Sequence, residues 1–162
     1  MSLSGELEKW LKHCRKLVIV GIGNPLRGDD ALGLHVLKEL EGKVPPNVKL
    51  IEGETTPESF TEEIEQSRPS HVLFVDAAHF RAEPGKAKLF QTHKIGGAAV
   101  FTHAIPLSFL AEILQKDTNA KVALLGVQPK AIELSEKLSP ELTKATKKIV
   151  ELLKNAVEKA CK

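Results

Sequence analysis

The residues best suited to chemistry in this 162-residue sequence are two acidic positions that each follow an apolar run. Asp30, preceded by Asp29, comes after KLVIVGI and a glycine-rich stretch, and Asp76 directly follows HVLFV. Two carboxylates held close together without a cation repel and raise the pKa of one of them, so a bound metal is a natural partner. Each also has a simpler explanation, as a helix cap at Asp29 or Asp30 and as a strand-end turn former at Asp76.

Six histidines are available to complete such a metal site, and carboxylates with an imidazole suit nickel or zinc better than calcium or magnesium. Three of them fall within predicted helices or a strand and are expected to be surface or packing residues: His13, His35 and His71. His79, His93 and His103 fall in predicted loops, where a metal ligand is more plausible. His93 and His103 each follow a threonine, and spacing alone does not choose between them.

Other catalytic and binding motifs are missing from the sequence. In GIGNPLRGDD, Leu26 stands where a dinucleotide fingerprint has its third glycine, and Asp29 rather than a Walker lysine follows Gly28. A phosphate there would meet two negative charges, so phosphate binding is disfavoured. The sequence also has no G-x-S-x-G elbow, HExxH helix or lone activated cysteine, so a conventional serine, zinc or cysteine hydrolase is not expected.

The elements that must position these residues alternate between strand and helix. Short apolar runs predict strands at 16–22, 48–52, 71–76, 87–91 and 121–127. Helical spacing and capping signals predict helices over 3–14, 31–41, 57–66 after a Thr56 cap, 106–116, and from Ser139–Pro140 onward. This alternation is typical of a single three-layer α/β domain over 1–162, with a twisted, mostly parallel sheet and helices on both faces. In a 2-1-3 winding, Asp30 and Asp76 would face one crevice at the carboxyl ends of the strands.

Composition and cysteine usage narrow the possible partners and setting. The chain has 23 Lys and Arg against 21 Asp and Glu, and 4% aromatic residues with no tyrosine, which argues against a nucleic-acid-binding protein. Its apolar runs are too short for a membrane span or a signal peptide. Cys14 and Cys161 have no CxxC partners, so neither a zinc knuckle nor a disulfide framework is expected. We therefore expect a soluble cytoplasmic protein without membrane insertion.

Several motifs, taken in order, resemble those of the hydrogenase maturation endopeptidases. They are GIGNPLRGDDALG after the first strand, VDAA closing the third strand, and THAIPLSFL before a helix. TTPES and ALLGVQP resemble the branch that processes formate-hydrogenlyase-type hydrogenases. The resemblance covers most of the chain from Val18 to about Pro129, and its specificity lies in the order and spacing of the motifs. It implies an α/β fold and an endopeptidase that removes the C-terminal extension of the nickel–iron hydrogenase large-subunit precursor after nickel insertion.

The resemblance also implies a set of site residues. The family's metal-binding positions fall on Asp30, Asp76 and His103, which selects His103 over His93, and nickel carried by the precursor would be the recognition signal. Three protein ligands leave coordination positions open, so the metal could polarise the scissile carbonyl or activate a water, and an aspartate could serve as general base. In one departure, Glu54 stands where the family often has a second glycine; it would disfavour a positive φ or add a carboxylate near the cleft.

Two other functions remain open on the sequence. A non-catalytic nickel-sensing chaperone would hold the precursor through the same three residues, and it would bind in a metal-dependent way without cleaving. A small-molecule α/β enzyme would use the GIGNPLRG loop for a nucleotide, but the missing third glycine and the paired aspartates argue against it. The protease is the favoured interpretation.

Overall fold

A computed structural model describes residues 1–91 and 107–161. In that part of the chain the sheet has five strands: β1 (Leu17–Ile22), β2 (Val48–Glu54), β3 (His71–Ala77), β4 (Ala87–Gln91) and β5 (Lys121–Val127). The helices are α1 (Leu3–Trp10), α2 (Leu32–Leu40), α3 (Thr61–Gln66), α4 (Leu107–Thr118) and α5 (Pro140–Ala160). Short 3₁₀ turns at Gly28–Ala31 and Pro57–Phe60 lead into α2 and α3.

The sheet has the strand order β2-β1-β3-β5-β4. The pairs β1–β2, β1–β3 and β3–β5 are parallel, and among the described strands β4 alone runs antiparallel, against β5. This order confirms the predicted 2-1-3 winding and makes β1 and β3 hydrogen-bonded neighbours. Their carboxyl ends therefore lie side by side, which is where a ligand site forms in such a sheet.

Helices cover both faces of the sheet, as predicted. Along β1, Leu17 and Ile19 pack into a cluster with buried residues of α1, α2 and α5. Val18 and Val20 point to the other face and pack with α3 and α4. Because successive side chains of a strand point to opposite faces, a strand covered on both sides must be apolar throughout, and all six residues of β1 are buried.

Some element boundaries differ from the predicted ones. Helix α1 ends at Trp10 rather than at 14, and His13 then turns the chain with a left-handed φ of 66°. Thr56 makes no side-chain cap, and the segment after it begins as a 3₁₀ turn. Among the described residues, no helix combines the length and the apolar character needed to cross a bilayer.

The expectation that the two cysteines form no disulfide framework was wrong. Cys14 and Cys161 are joined in a disulfide across 147 residues, and both are buried. The Asn47 side-chain amide donates to the carbonyls of Cys161, at 3.1 Å, and Arg15, at 3.2 Å. Spacing in the sequence could not reveal this pairing, because it depends on α5 ending beside the amino-terminal edge of the sheet. The cysteines therefore no longer support the cytoplasmic location, which stays a prediction.

Candidate active site

Asp76 lies near the carboxyl end of β3 and is completely buried. Its Oδ1 accepts a hydrogen bond from the Ala77 amide at 2.8 Å. On β5, Gly126 is its register partner. Four apolar residues precede Asp76 on the strand, so the fold places a carboxyl at the point where an apolar strand reaches the sheet edge.

Asp30 reaches the same edge from the 3₁₀ turn that follows β1, and 4% of it is exposed. Its Oδ2 accepts from the Asn24 amide at 3.0 Å. Gly23, with φ at 152°, lies against the Asp30 backbone so closely that an added Cβ would come within 2.1 Å of the Asp30 carbonyl oxygen. The loop can fold back on itself in this way only with glycine at that position.

Helix α2 sits directly on the ends of β1 and β3 through Gly33. A Cβ at Gly33 would lie 2.2 Å from the Val75 carbonyl oxygen and 2.4 Å from that of Ile22. The helix backbone can therefore approach the two strands closely. This approach brings the turn that carries Asp30 toward Asp76, the residue that follows Val75.

The electrostatics of the crevice follow from this placement. Burial raises the pKa of the Asp76 carboxyl well above its ordinary value, and the negative charge of Asp30 raises it further. The hydrogen bond from the Ala77 amide acts in the opposite direction and is the smallest of the three effects. Such a pair can hold a proton at unusually high pH or bind a cation that offsets both charges.

The loop that follows β3 is held by Gln128, a buried residue that the sequence did not single out. Its Oε1 accepts from the amides of Phe80, at 2.8 Å, and Ala82, at 3.2 Å. Its own backbone bonds to Lys86 and Gly85. Gln128 thus fixes the loop that follows Asp76. The signal that could have found it is its position. Gln128 is a polar residue at the carboxyl end of an apolar strand, as Asp76 is.

Comparison with known proteins shows what fold and family these features belong to. The family model for hydrogenase maturation protease matches residues 34–156. A provisionally named hydrogenase maturation protease of Methanocaldococcus jannaschii is 38% identical over 156 residues, which cover 91% of this chain and 92% of the relative. The hydrogenase 3 maturation protease of Escherichia coli is 30% identical over 113 residues, covering 69% of this chain and 72% of that protein.

This chain belongs to the hydrogenase maturation protease family. Its fold agrees with that of the nickel–iron hydrogenase maturation protease HycI from Thermococcus kodakarensis, with a TM-score of 0.87, 34% identity, and coverage of 94% of this chain and 99% of that one. Membership confirms the predicted resemblance, the α/β fold and the general assignment as a protease in hydrogenase maturation.

The histidines of this maturation protease divide as follows. His13 is exposed, His35 is half-buried and His71 is buried, which agrees with surface and packing roles. His71 Nε2 lies 3.0 Å from the Trp10 carbonyl oxygen, and burial lowers the pKa of His71. His79 is exposed, with its Nδ1 3.5 Å from Gln128 Nε2.

His93 and His103 lie outside the described residues. Within 1–91 and 107–161, no group of three or more His, Cys, Asp and Glu side chains could hold a metal ion. The structure brings two of the predicted site residues, Asp30 and Asp76, close enough together that the charge of Asp30 acts on Asp76. The position of the third, His103, stays a prediction.

Glu54 departs from the family pattern but keeps a backbone shape that glycine favours. Its φ is 49°, in the left-handed region, and its side chain is exposed. Its carbonyl accepts from the Gly23 amide at 2.7 Å, next to the loop of Asp30. The register between β1 and β2 shifts here, with Ile22 paired to Glu54. A glutamate at this position therefore does not prevent the positive φ.

Proposed function

We propose that this chain is the endopeptidase that removes the C-terminal extension from the nickel-loaded large-subunit precursor of a nickel–iron hydrogenase. The observation that supports it most is the buried pair of carboxyls, Asp30 and Asp76, at the carboxyl ends of β1 and β3. Membership in the maturation protease family supports a role for this pair in peptide-bond hydrolysis. We place the reaction in the cytoplasm, as the sequence predicts.

The side chains assigned to the site are of types that bind nickel, which in this proposal arrives with the precursor. Carboxylate oxygens and an imidazole nitrogen are a suitable ligand set for nickel. A divalent cation beside Asp30 and Asp76 would also offset the repulsion that raises the pKa of Asp76. In this proposal His103 supplies the third ligand. The ion belongs to the substrate and identifies a precursor that is ready for processing.

The protein's own residues supply acid–base chemistry in this proposal. Nickel held by Asp30, Asp76 and His103 would supply Lewis acidity toward the scissile carbonyl. In this proposal Asp76 takes a proton from the water that attacks the scissile carbonyl carbon. The same proton then passes to the leaving amine as the carbon–nitrogen bond breaks. Asp30, oriented by the Asn24 amide, holds its carboxylate beside the reacting groups.

The experiment must separate cleavage from binding, because a nickel-sensing chaperone would use the same residues. The wild-type chain is mixed with nickel-loaded or metal-free precursor and passed over a size-exclusion column, and the intact mass of every eluted species is measured. We expect the loaded precursor to lose a C-terminal peptide and the metal-free precursor to keep its mass. A stable complex with full-length loaded precursor would instead favour the chaperone.

A further inference from the structure

The two adjacent aspartates of the GDD sequence point to different partners. Asp30 turns back to the Asn24 amide in its own loop. Asp29, which is 1% exposed, turns to the segment 130–139 between β5 and α5, a hundred residues further along the chain. Neighbouring carboxylates in this turn therefore have separate tasks.

Both carboxylate oxygens of Asp29 are engaged by hydrogen-bond donors. Oδ1 accepts from the Ser139 amide at 2.7 Å. Oδ2 accepts from the amides of Lys130, at 2.9 Å, and Ala131, at 3.0 Å, and from the Ser139 hydroxyl at 2.9 Å. A carboxylate that receives four donors within the protein has little capacity left for a substrate or a metal ion.

The turn that carries Asp30 is held by local hydrogen bonds, such as that from the Asp30 amide to the Arg27 carbonyl at 3.1 Å, and by a distant segment of the chain. Arg27, at its N-cap position, makes no side-chain capping bond, and Gly28 has a left-handed φ of 56°. The distant segment adds further hydrogen bonds, since the Asp29 amide donates to the Ala131 carbonyl at 3.1 Å and the Gly28 amide donates to that of Ser135 at 2.8 Å. The far end of the attachment is firm, because the Ser139 hydroxyl caps α5 and α5 packs in the core.

We infer that Asp29 is a positioning residue for Asp30, and this inference rests on the proposed function. Asp29 ties the 3₁₀ turn to the amino end of α5, so the Asp30 carboxylate keeps its place opposite Asp76. Errors of about 1 Å in the position of a reacting group can reduce a rate by up to roughly a hundredfold. Removing the Asp29 attachment therefore slows the chemical step rather than weakening precursor binding.

Asp29→Asn tests this role with almost no change in shape. Whichever way the amide is turned, its NH₂ group faces the amide of Ser139 or those of Lys130 and Ala131, so at least one hydrogen bond is lost. We expect kcat for precursor cleavage to fall by roughly tenfold to a hundredfold, with KM within about twofold of the wild-type value. Ser139→Ala, which keeps the Ser139 amide donor, should have a smaller effect on kcat.

A control variant distinguishes a general loss of protein stability from a displacement of Asp30. Val157→Ala removes buried methyl groups from α5 near the disulfide, far from the crevice, and should lower Tm while leaving kcat unchanged at temperatures well below that Tm. If folded Asp29→Asn protein behaved like Val157→Ala, with kcat within twofold of the wild-type value, Asp29 would be purely structural and the inference wrong.

A second readout does not depend on cleavage. Amide hydrogen exchange of the peptide spanning residues 24–32 is compared in wild-type, Asp29→Asn, Asp30→Asn and Val157→Ala protein. We expect exchange to accelerate by roughly tenfold in Asp29→Asn alone. If no variant of this chain, wild type included, cleaves the precursor, the proposed function fails while this measurement still decides whether Asp29 holds the turn. Unchanged exchange in Asp29→Asn would overturn the inference.

Discussion

Asp30 lies close enough to Asp76 that its negative charge, added to the effect of burial, raises the pKa of the Asp76 carboxyl. Asp30 lies in the turn after β1 and Asp76 lies on β3, 46 positions later in the sequence. The parallel pairing of β1 with β3 brings the two residues to the same edge of the sheet. Such an arrangement lowers the stability of the folded protein near neutral pH in the absence of a cation. Active sites commonly contain ionisable groups with shifted pKa values, because acid–base catalysis requires them.

The raised pKa of Asp76 predicts how stability depends on pH. An unfolded aspartate has a pKa of about 3.9, so between that pH and the native pKa the folded protein holds a proton that unfolding releases. The free energy of unfolding of the metal-free wild type should therefore fall as pH rises through this window. Asp76→Asn cannot ionise, and we expect its Tm to exceed that of the wild type near pH 8 and the difference to disappear near pH 4.

The size of that difference reports the native pKa. Each unit by which the pKa is raised corresponds to about 1.4 kcal/mol, or roughly 3–6 °C in Tm for a chain of this length. Thermal unfolding in the presence of a chelator at several pH values measures it. Glu52→Gln, which removes an exposed carboxylate of β2, is the control and should follow the wild-type curve. An Asp76→Asn protein less stable than wild type at pH 8 would contradict the description of the crevice.

Gly23→Ala should damage the site by displacing Asp30. The new methyl group would lie 2.1 Å from the Asp30 carbonyl oxygen, so the loop must move. We expect precursor cleavage to fall by roughly a hundredfold, because the position of Asp30 changes. Gly42→Ala is the matched control: Gly42 also has a positive φ, of 74°, but nothing lies within 4 Å of the added Cβ. Equal activity in the two variants would show that Gly23 does not position Asp30.

Glu54→Gly should make the protein more stable. At a φ of 49° a glutamate is strained and a glycine is not, so the substitution is expected to raise the free energy of unfolding by about 1 kcal/mol. The matched control is Glu52→Gly, two residues earlier on β2, where glycine should destabilise by about 0.5–1 kcal/mol. Urea unfolding of both variants measures the difference, and a destabilised Glu54→Gly protein would contradict the assigned backbone shape.

The disulfide between Cys14 and Cys161 should matter for stability and not for activity. It closes a loop across 147 residues, so losing it is expected to cost several kcal/mol, or about 10 °C in Tm. The bond lies beside the amino-terminal edge of the sheet, and the Asp30–Asp76 crevice lies at the opposite edge. The double variant Cys14→Ser/Cys161→Ser and the reduced wild type should both have a lower Tm. At temperatures well below that Tm, both should cleave the precursor at the rate of the oxidised wild type. A loss of cleavage in the folded double variant would link the disulfide to the site.

The strands and the acidic pair could be predicted from the sequence because local patterns determine them. β1, β3 and β5 are short apolar runs covered on both faces, and carboxyls that follow neighbouring parallel strands must meet. The disulfide, the attachment of Asp29 and the role of Gln128 could not be predicted in the same way. Each depends on contacts between residues far apart in the sequence, and local hydrophobic periodicity carries no information about such contacts. His103 was selected by family resemblance alone, and it lies outside the described residues.

The most direct measurement is the rate at which the nickel-loaded large-subunit precursor loses its C-terminal peptide, followed by intact mass. Wild-type chain is compared with Asp30→Asn, Asp76→Asn and His103→Ala, and with Glu54→Gln as an exposed carboxylate control. We predict cleavage by the wild type and the control, and a rate lower by roughly a hundredfold or more in the three site variants. Cleavage at the wild-type rate by both Asp30→Asn and Asp76→Asn would contradict the claim that this carboxyl pair performs the reaction.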